Sequence, residues 1–207
     1  MATTTPNYGW PVPTSADYVA QGAVAIEALG DAIDATVFGL PAPASGLTLI
    51  NTTTFSAVAS QNLTSIFSST YDNYKIIISE LYGSANVAFN CRVGVAGTPV
   101  TAGYFYGGWI VNYTGATTTA SGNSVSSVFV NSVNNTSTGT NGIEINIFNP
   151  NKASKHTTFN YQGFDIFGIR MQVGSGAILN TSAVTDFQIL PDSGTITGKV
   201  SVYGYQK

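Results

Sequence analysis

Two hydrophobic periods divide the chain. Over residues 18–37, YVAQGAVAIEALGDAIDATV, apolar residues recur every three to four positions, which keeps them on one face of an α-helix. From Leu47 onward the period drops to two, the mark of strands with one buried face. In the first segment Val19, Ile26 and Ile33 sit seven apart, and Leu29 lies between the last two. That 3,4 alternation predicts a helical seam through Val19, Ile26, Leu29 and Ile33. Gly22 and Thr36 occupy the adjoining seam positions, so the seam holds only about two good heptads. Thr14 or Ser15 can cap the helix and Asp17 suits its first turn, where the helix dipole favours negative charge. The other face carries Glu27, Asp31 and Asp34 with no basic partner. Two readings stand: the helix packs on its own β body, or it joins a short parallel bundle of three chains.

In the second segment LTLIN and TFSAV read as short strands, and QNLTSIFSSTYDN as a turn or irregular crossing. YKIIISEL, residues 74–81, is a strong strand whose Ile-rich centre predicts burial on both faces. In ANVAFNCRVGV, Val87, Phe89, Cys91, Val93 and Val95 alternate inward, which places Cys91 in the core. SVSSVFVNSV and IEINIFN read as paired strands, with Asn141 and Gly142 as a hairpin signal between them. HTTFNYQGF, FGIRMQVG, VTDFQIL and TITGKVSVYGY complete the set. About nine or ten strands without a second helix predict a mainly β fold, an antiparallel β-sandwich that is jelly-roll-like. An extended N-terminal peptide and one α-helix precede it.

Composition sharpens this picture. The 207 residues are 43% hydrophobic and only 8% charged, against roughly 25% charged in an average domain. Thr, Ser, Asn and Gly must therefore cover the surface. Net charge is −3, and residues 1–46 hold four acidic side chains and no Lys or Arg. The body is close to neutral and lacks the clustered cations that nucleic acid demands, so no nucleic-acid partner is expected. No apolar run approaches the roughly 18 residues of a membrane span, so no membrane insertion is expected. The start, MATTTPNYGWPVP, has no basic region followed by an apolar one, so it is not read as a secretory signal. Synthesis and assembly in a cytoplasm are the expectation.

Residues 1–14 hold three prolines with Tyr8 and Trp10. Proline argues against a ladder or helix there. The aromatics either fold back on the protein or anchor an extended peptide on a partner, as aromatics do at interface centres. FGLPAPASG, residues 38–46, reads as a linker. The expected organisation is 1–14 peptide, 15–38 helix, 39–46 linker and 47–207 β head.

The search for chemistry finds no catalytic residues. His156 is the lone histidine, in the loop-like NPNKASKH, and no G-x-S-x-G elbow occurs. One Cys and one His cannot make a zinc tetrad, so no metal site and no cofactor are predicted. Among the carboxylates, Glu144 alternates against Ile143, Ile145 and Ile147 and so faces solvent; no pair has the character of a glycosidase site. What survives is a surface: Tyr104, Tyr106, Trp109 and Tyr113 can stack on sugar rings or line a subunit interface, or half of them simply alternate into the core. Asn112, Asn123 and Asn141 add donors and acceptors for hydroxyls.

Two segments carry a family resemblance. TTPNYGWPVP followed by VAQGAVAIEALGDAID resembles the N-terminal segment of tailed-bacteriophage fibre and virion-surface proteins. LTLINTTTFS…IFSSTYDNYKIIIS and the closing GTITGKVSVYGYQK resemble the ends of their terminal β domain. The resemblance implies a non-enzymatic virion structural protein on the particle surface, assembled in the host cytoplasm. By it, Tyr8, Trp10, Pro11 and Pro13 belong to an attachment peptide that holds other virion proteins of capsid, tail or baseplate. The helix would trimerise, making a homotrimeric short tail fibre or head fibre, and the head would meet a host cell-surface glycan. A capsid decoration, cement or head-spike protein is the alternative, and a glycan depolymerase ranks third.

Overall fold

The computed structural model describes residues 3–12, 14, 18–39, 46–138, 141–166 and 168–207. Pro13, Ser15, Asp17 and the linker residues 40–45 lie outside the described residues, as does the side chain of Val19. The chain divides into two compact units, Met1–Ser45 and Gly46–Lys207.

In the first unit β1 (Thr3–Thr4) pairs antiparallel with β2 (Pro11–Val12). The expectation that proline bars any ladder here is therefore corrected: residues 3–12 form a small hairpin rather than a single extended peptide. The turn closes through Thr5 N–H to Trp10 O (2.8 Å), Gly9 N–H to Thr5 O (3.0 Å) and Trp10 N–H to Thr5 Oγ1 (3.0 Å). A ladder of two residue pairs does not need the N–H that Pro11 lacks at every position. The helix α1 runs Val19–Gly39.

The second unit is an antiparallel β-sandwich of unequal sheets. The larger holds β3 (Leu47–Val58), β5 (Asn73–Gly83), β8 (Tyr104–Asn112), β9 (Thr117–Val125), β11 (Asn141–Phe148), β12 (Thr157–Asp165), β13 (Arg170–Ile178) and β15 (Ile196–Tyr205), in the order β3-β15-β5-β11-β12-β13-β8-β9. The smaller holds β10 (Val128–Val133), β6 (Val87–Val95), β14 (Asp186–Pro191) and β4 (Gln61–Leu63) in that order, with β7 (Thr98–Pro99) on β6. The chain passes repeatedly from one sheet to the other. Such crossings let two sheets share one core and are the habit of jelly rolls and Greek keys.

The core lies between the sheets. Tyr74, Ile76, Ile78 and Leu81 of β5 and Ile143, Ile145 and Ile147 of β11 face Phe89, Cys91 and Val93 of β6 and Phe187 and Ile189 of β14 in one buried cluster. Fully burying an Ile or Phe side chain contributes about 1.5–3 kcal/mol, so this unit has an ample apolar interior of its own. Cys91 sits in that core, and burial pushes its thiol up to about 12. Glycines admit rings at several places. A Cβ on Gly174 would overlap the Tyr161 hydroxyl, and one on Gly204 would overlap the Tyr71 ring.

Several strand expectations need correction. LTLIN and TFSAV form one continuous strand, β3. The described body has thirteen strands, because β4 and β7 are very short and β9 is almost wholly polar. β10 and β11 do not pair: β10 joins β6, while β11 lies between β5 and β12. Asn141 and Gly142 open β11 instead of turning a hairpin. The Asn141 amide is buried, donates to Ser132 O and accepts from Ile166 N–H. A buried amide with both ends bonded costs little and fixes its backbone. The centre of β5 is buried on one face only, since Ile77 lies half-buried on the other.

Candidate functional site

Alternation splits the aromatic group of β8. Tyr104 is buried; its hydroxyl accepts from Val93 N–H (2.8 Å) and donates to Val100 O (3.0 Å), and burial raises its pKa far above the usual phenol. Tyr106 has the same parity and packs against the core, and burial also raises its pKa. Tyr104 is therefore not part of a binding surface, and Tyr106 shares its inward side. Trp109 has the opposite parity and is 58% exposed; Tyr113 follows the strand, in the turn, and is 77% exposed. Of the three asparagines, Asn141 is buried and Asn112 is occupied by its own turn, accepting from Thr114 N–H, the Thr114 hydroxyl and Ala116 N–H. Asn123 is exposed on β9.

The pairing register places Trp109 in a row across the outer face of the large sheet. Ile77 lies opposite Glu144, Glu144 opposite Gln162, Gln162 opposite Val173, and Val173 opposite Trp109. The next row carries Lys75, Asn146, Asn160 and Ser175. These rows hold a bonded polar ladder. Lys75 Nζ lies 3.0 Å from Glu144 Oε1; Asn146 Nδ2 donates to Glu144 Oε1 (3.2 Å) and to Asn160 Oδ1 (3.0 Å). The Tyr205 hydroxyl donates to Asn146 Oδ1 (2.9 Å). The Lys75 ammonium holds the Glu144 carboxyl below its usual range, and the Asn146 and Gln162 amides help against a partial loss of solvent. An open hollow of about 290 Å³ lies over Glu144, Asn146, Asn160, Gln162 and Val173. The arrangement offers fixed amide and carboxylate groups beside one exposed indole, with no uncompensated charge among them.

One end of this face is apolar. A shallow groove of about 460 Å³ runs over Ile77, Phe164 and Met171, and the last two are about half exposed. Ile166 and Ile169, in the turn between β12 and β13, are also about half exposed. Ile169 has a φ of 46°, a strained value for a β-branched residue. Its surroundings hold it there. The buried carboxylate of Asp165 meets Arg170 Nε at 2.8 Å and accepts from Gly168 N–H, while Arg170 Nη2 donates to Ser132 Oγ. Tyr113 N–H donates to Ile169 O (3.1 Å).

In the N-terminal unit Tyr8 stacks on Trp10 with ring centroids 5.2 Å apart, and Tyr8 is 65% exposed. The Trp10 indole N–H donates to Thr36 Oγ1 of α1 (2.9 Å). Pro11 is half-buried in β2. On the helix, Leu29 and Ile33 are half-buried and Ile26 is 64% exposed. His156 stands exposed in the loop before β12. Among the described residues no three His, Cys, Asp or Glu side chains gather to hold a metal, and no helix is long and apolar enough to cross a membrane. Comparison with known proteins finds no family model and no curated relative that matches this chain.

Glu144, Asn146, Asn160, Gln162 and Lys75 are the site residues that sequence reasoning missed. The outward parity of Glu144 was legible, and so was that of Asn160 and Gln162 within HTTFNYQGF. Their meeting depends on the β5-β11-β12 order, and their row reaches Trp109 only through β13 and β8, an order that no local pattern carries.

Proposed function

We propose that this chain is a non-enzymatic structural protein of a bacteriophage virion surface, a homotrimeric short fibre. Its N-terminal unit attaches to other virion proteins, and its β head displays a face for a host cell-surface glycan. The observation that carries this reading is the division into two compact units of different character. One is small, aromatic and rich in exposed apolar groups; the other is a self-sufficient sandwich. The NYGWPVP and VAQGAVAIEALGDAID motifs fall in the first unit and the outer polar face in the second. Neutral sugars are recognised by ring stacking on aromatics and by fixed amide and carboxylate groups, and the row from Glu144 to Trp109 offers both.

The apolar end at Phe164, Ile166, Ile169 and Met171 favours a second reading, capsid decoration, because it suits a protein neighbour better than a sugar. Imaging of intact particles separates the two. Density for this chain at the tail or baseplate supports the fibre; density between capsomers overturns it in favour of decoration. A chain lacking residues 1–14 should keep a folded head and fail to load onto particles. Loading at the normal level would remove the attachment role.

A further inference from the structure

One face of the helix suits packing of a like copy better than the other. Glu27, Asp31 and Asp34 project together from one side, which also bears Val24 and Phe38, and three like charges there oppose the packing of copies. The opposite side carries the seam. The structure already occupies that side. Gly22, Ala25, Leu29, Ala32, Ile33 and Thr36 are the less exposed positions of the helix, and all fall on one face. Trp10 is hydrogen-bonded to Thr36 on this face, and the Thr36 hydroxyl is in turn oriented by the Ala32 carbonyl (2.8 Å). Thr36 lies about 26 Å along the axis from the first helical residue, at ~1.5 Å per residue. A chain that enters the helix at Val19 while Trp10 touches Thr36 has doubled back along most of its length. Four of these positions, Gly22, Leu29, Ile33 and Thr36, belong to the seam through which copies would associate. Ile26, Val24, Val37 and Phe38 stay mostly exposed.

We infer that the N-terminal hairpin and a second copy of the helix compete for the same face of α1. Trp10 is then a clasp that releases the seam when its aromatic pair is taken up elsewhere. The inference rests on the proposed association of the helices. It adds that attachment and association are coupled: a partner that captures Tyr8 and Trp10 frees Leu29, Ile33 and Thr36, and copies that pair through the seam free Tyr8 and Trp10 for a partner. A binding-competent state populated only in part weakens the apparent affinity by that fraction, so removing the clasp strengthens association although it removes apolar surface.

The test is the dissociation constant of the full chain by sedimentation equilibrium, for wild type, Trp10→Ala, Thr36→Val, and Leu29→Asp combined with Trp10→Ala. Trp10→Ala should tighten association about tenfold for each chain that must open, hence about a hundredfold for a pair, as for a clasp closed in about nine molecules of ten. Thr36→Val keeps the branched shape and removes the acceptor, and should tighten it by about threefold, the effect of one modest hydrogen bond. Leu29→Asp should abolish the gain, because it places charge in the seam. An unchanged constant in Trp10→Ala overturns the clasp while helix association stands. A weaker constant also overturns it, since Trp10 would then belong to the oligomer interface. If neither wild type nor Trp10→Ala associates, the proposed oligomer falls as well. Thermal unfolding of each variant, unchanged for the head, shows that the readout is association and not loss of fold.

Discussion

The two units bury their apolar residues in opposite ways. The β head encloses a continuous cluster from Phe55 to Val202, and many of its Ile, Phe and Val side chains are wholly inaccessible. In the N-terminal unit no described hydrophobic residue is fully buried, and the helix leaves Val24, Ile26, Val37 and Phe38 more than half exposed. The head is therefore stable by its own interior, whereas the N-terminal unit has apolar surface to offer. Apolar burial and apolar exposure are separated along the chain, so each can be altered without the other.

The sharpest way to break this comparison is a cavity in the head. Ile145→Ala should destabilise the chain by about 2–5 kcal/mol, as a buried large-to-small change does. Ile26→Ala, at an exposed helix position, should leave the head's denaturation midpoint unchanged. Equal effects would show that the units are not independent. Gly174→Ala comes next, because the added methyl overlaps the Tyr161 hydroxyl; overpacking of this kind costs about 1–3 kcal/mol, read in the same denaturation curves. Trp109→Ala should leave that midpoint nearly unmoved and weaken the proposed glycan binding, with loss of a stacking contact of about 1 kcal/mol, measured by calorimetry against neutral oligosaccharides; no binding by either protein would remove the glycan reading. The smallest effect belongs to Glu144→Gln. The Glu144 carboxyl is held low by Lys75, so it contributes stability above the pKa of the unfolded chain, and this is lost as pH falls through the folded value. Wild type should exceed Glu144→Gln in thermal midpoint at pH 7, and the difference should close below the ordinary carboxylate range. A difference that persists at pH 2 would point to packing instead of charge.

Much of the sandwich was legible locally. Alternation placed Cys91 inward, set Ile143, Ile145 and Ile147 against Glu144, and gave β5, β6 and β12–β15 their approximate positions. Parity alone separates Tyr104 and Tyr106 from Trp109, and so decides which of the four aromatics alternate into the core. Pairing was not legible, because it is non-local. Nothing in SVSSVFVNSV tells that β10 leaves its sequence neighbour for β6, and Asn141 with Gly142 carries a turn signal that a buried, fully bonded amide overrides. β9 is not legible, since TTTASGNSV has the polarity of a loop; as the edge of the large sheet it pairs, among the described residues, with β8 alone. The candidate face needed five strands in the right order and so was the least readable part.

The pairing of β3 with β15 also sets an order in time. Thr52 and Ser201, hydrogen-bonded side by side, are 149 residues apart, and among the described residues β3 has β15 as its sole partner in the sheet. During synthesis β3 emerges among the first strands of the head and must wait for the last. Contacts of such long sequence separation slow folding and leave strand edges open meanwhile. The helix needs no such wait, since its hydrogen bonds are local. On the ribosome α1 can form, and its hairpin can cover the seam, well before any head is closed. Under the proposed association of the helices, a seam covered at that stage would keep unfinished chains apart.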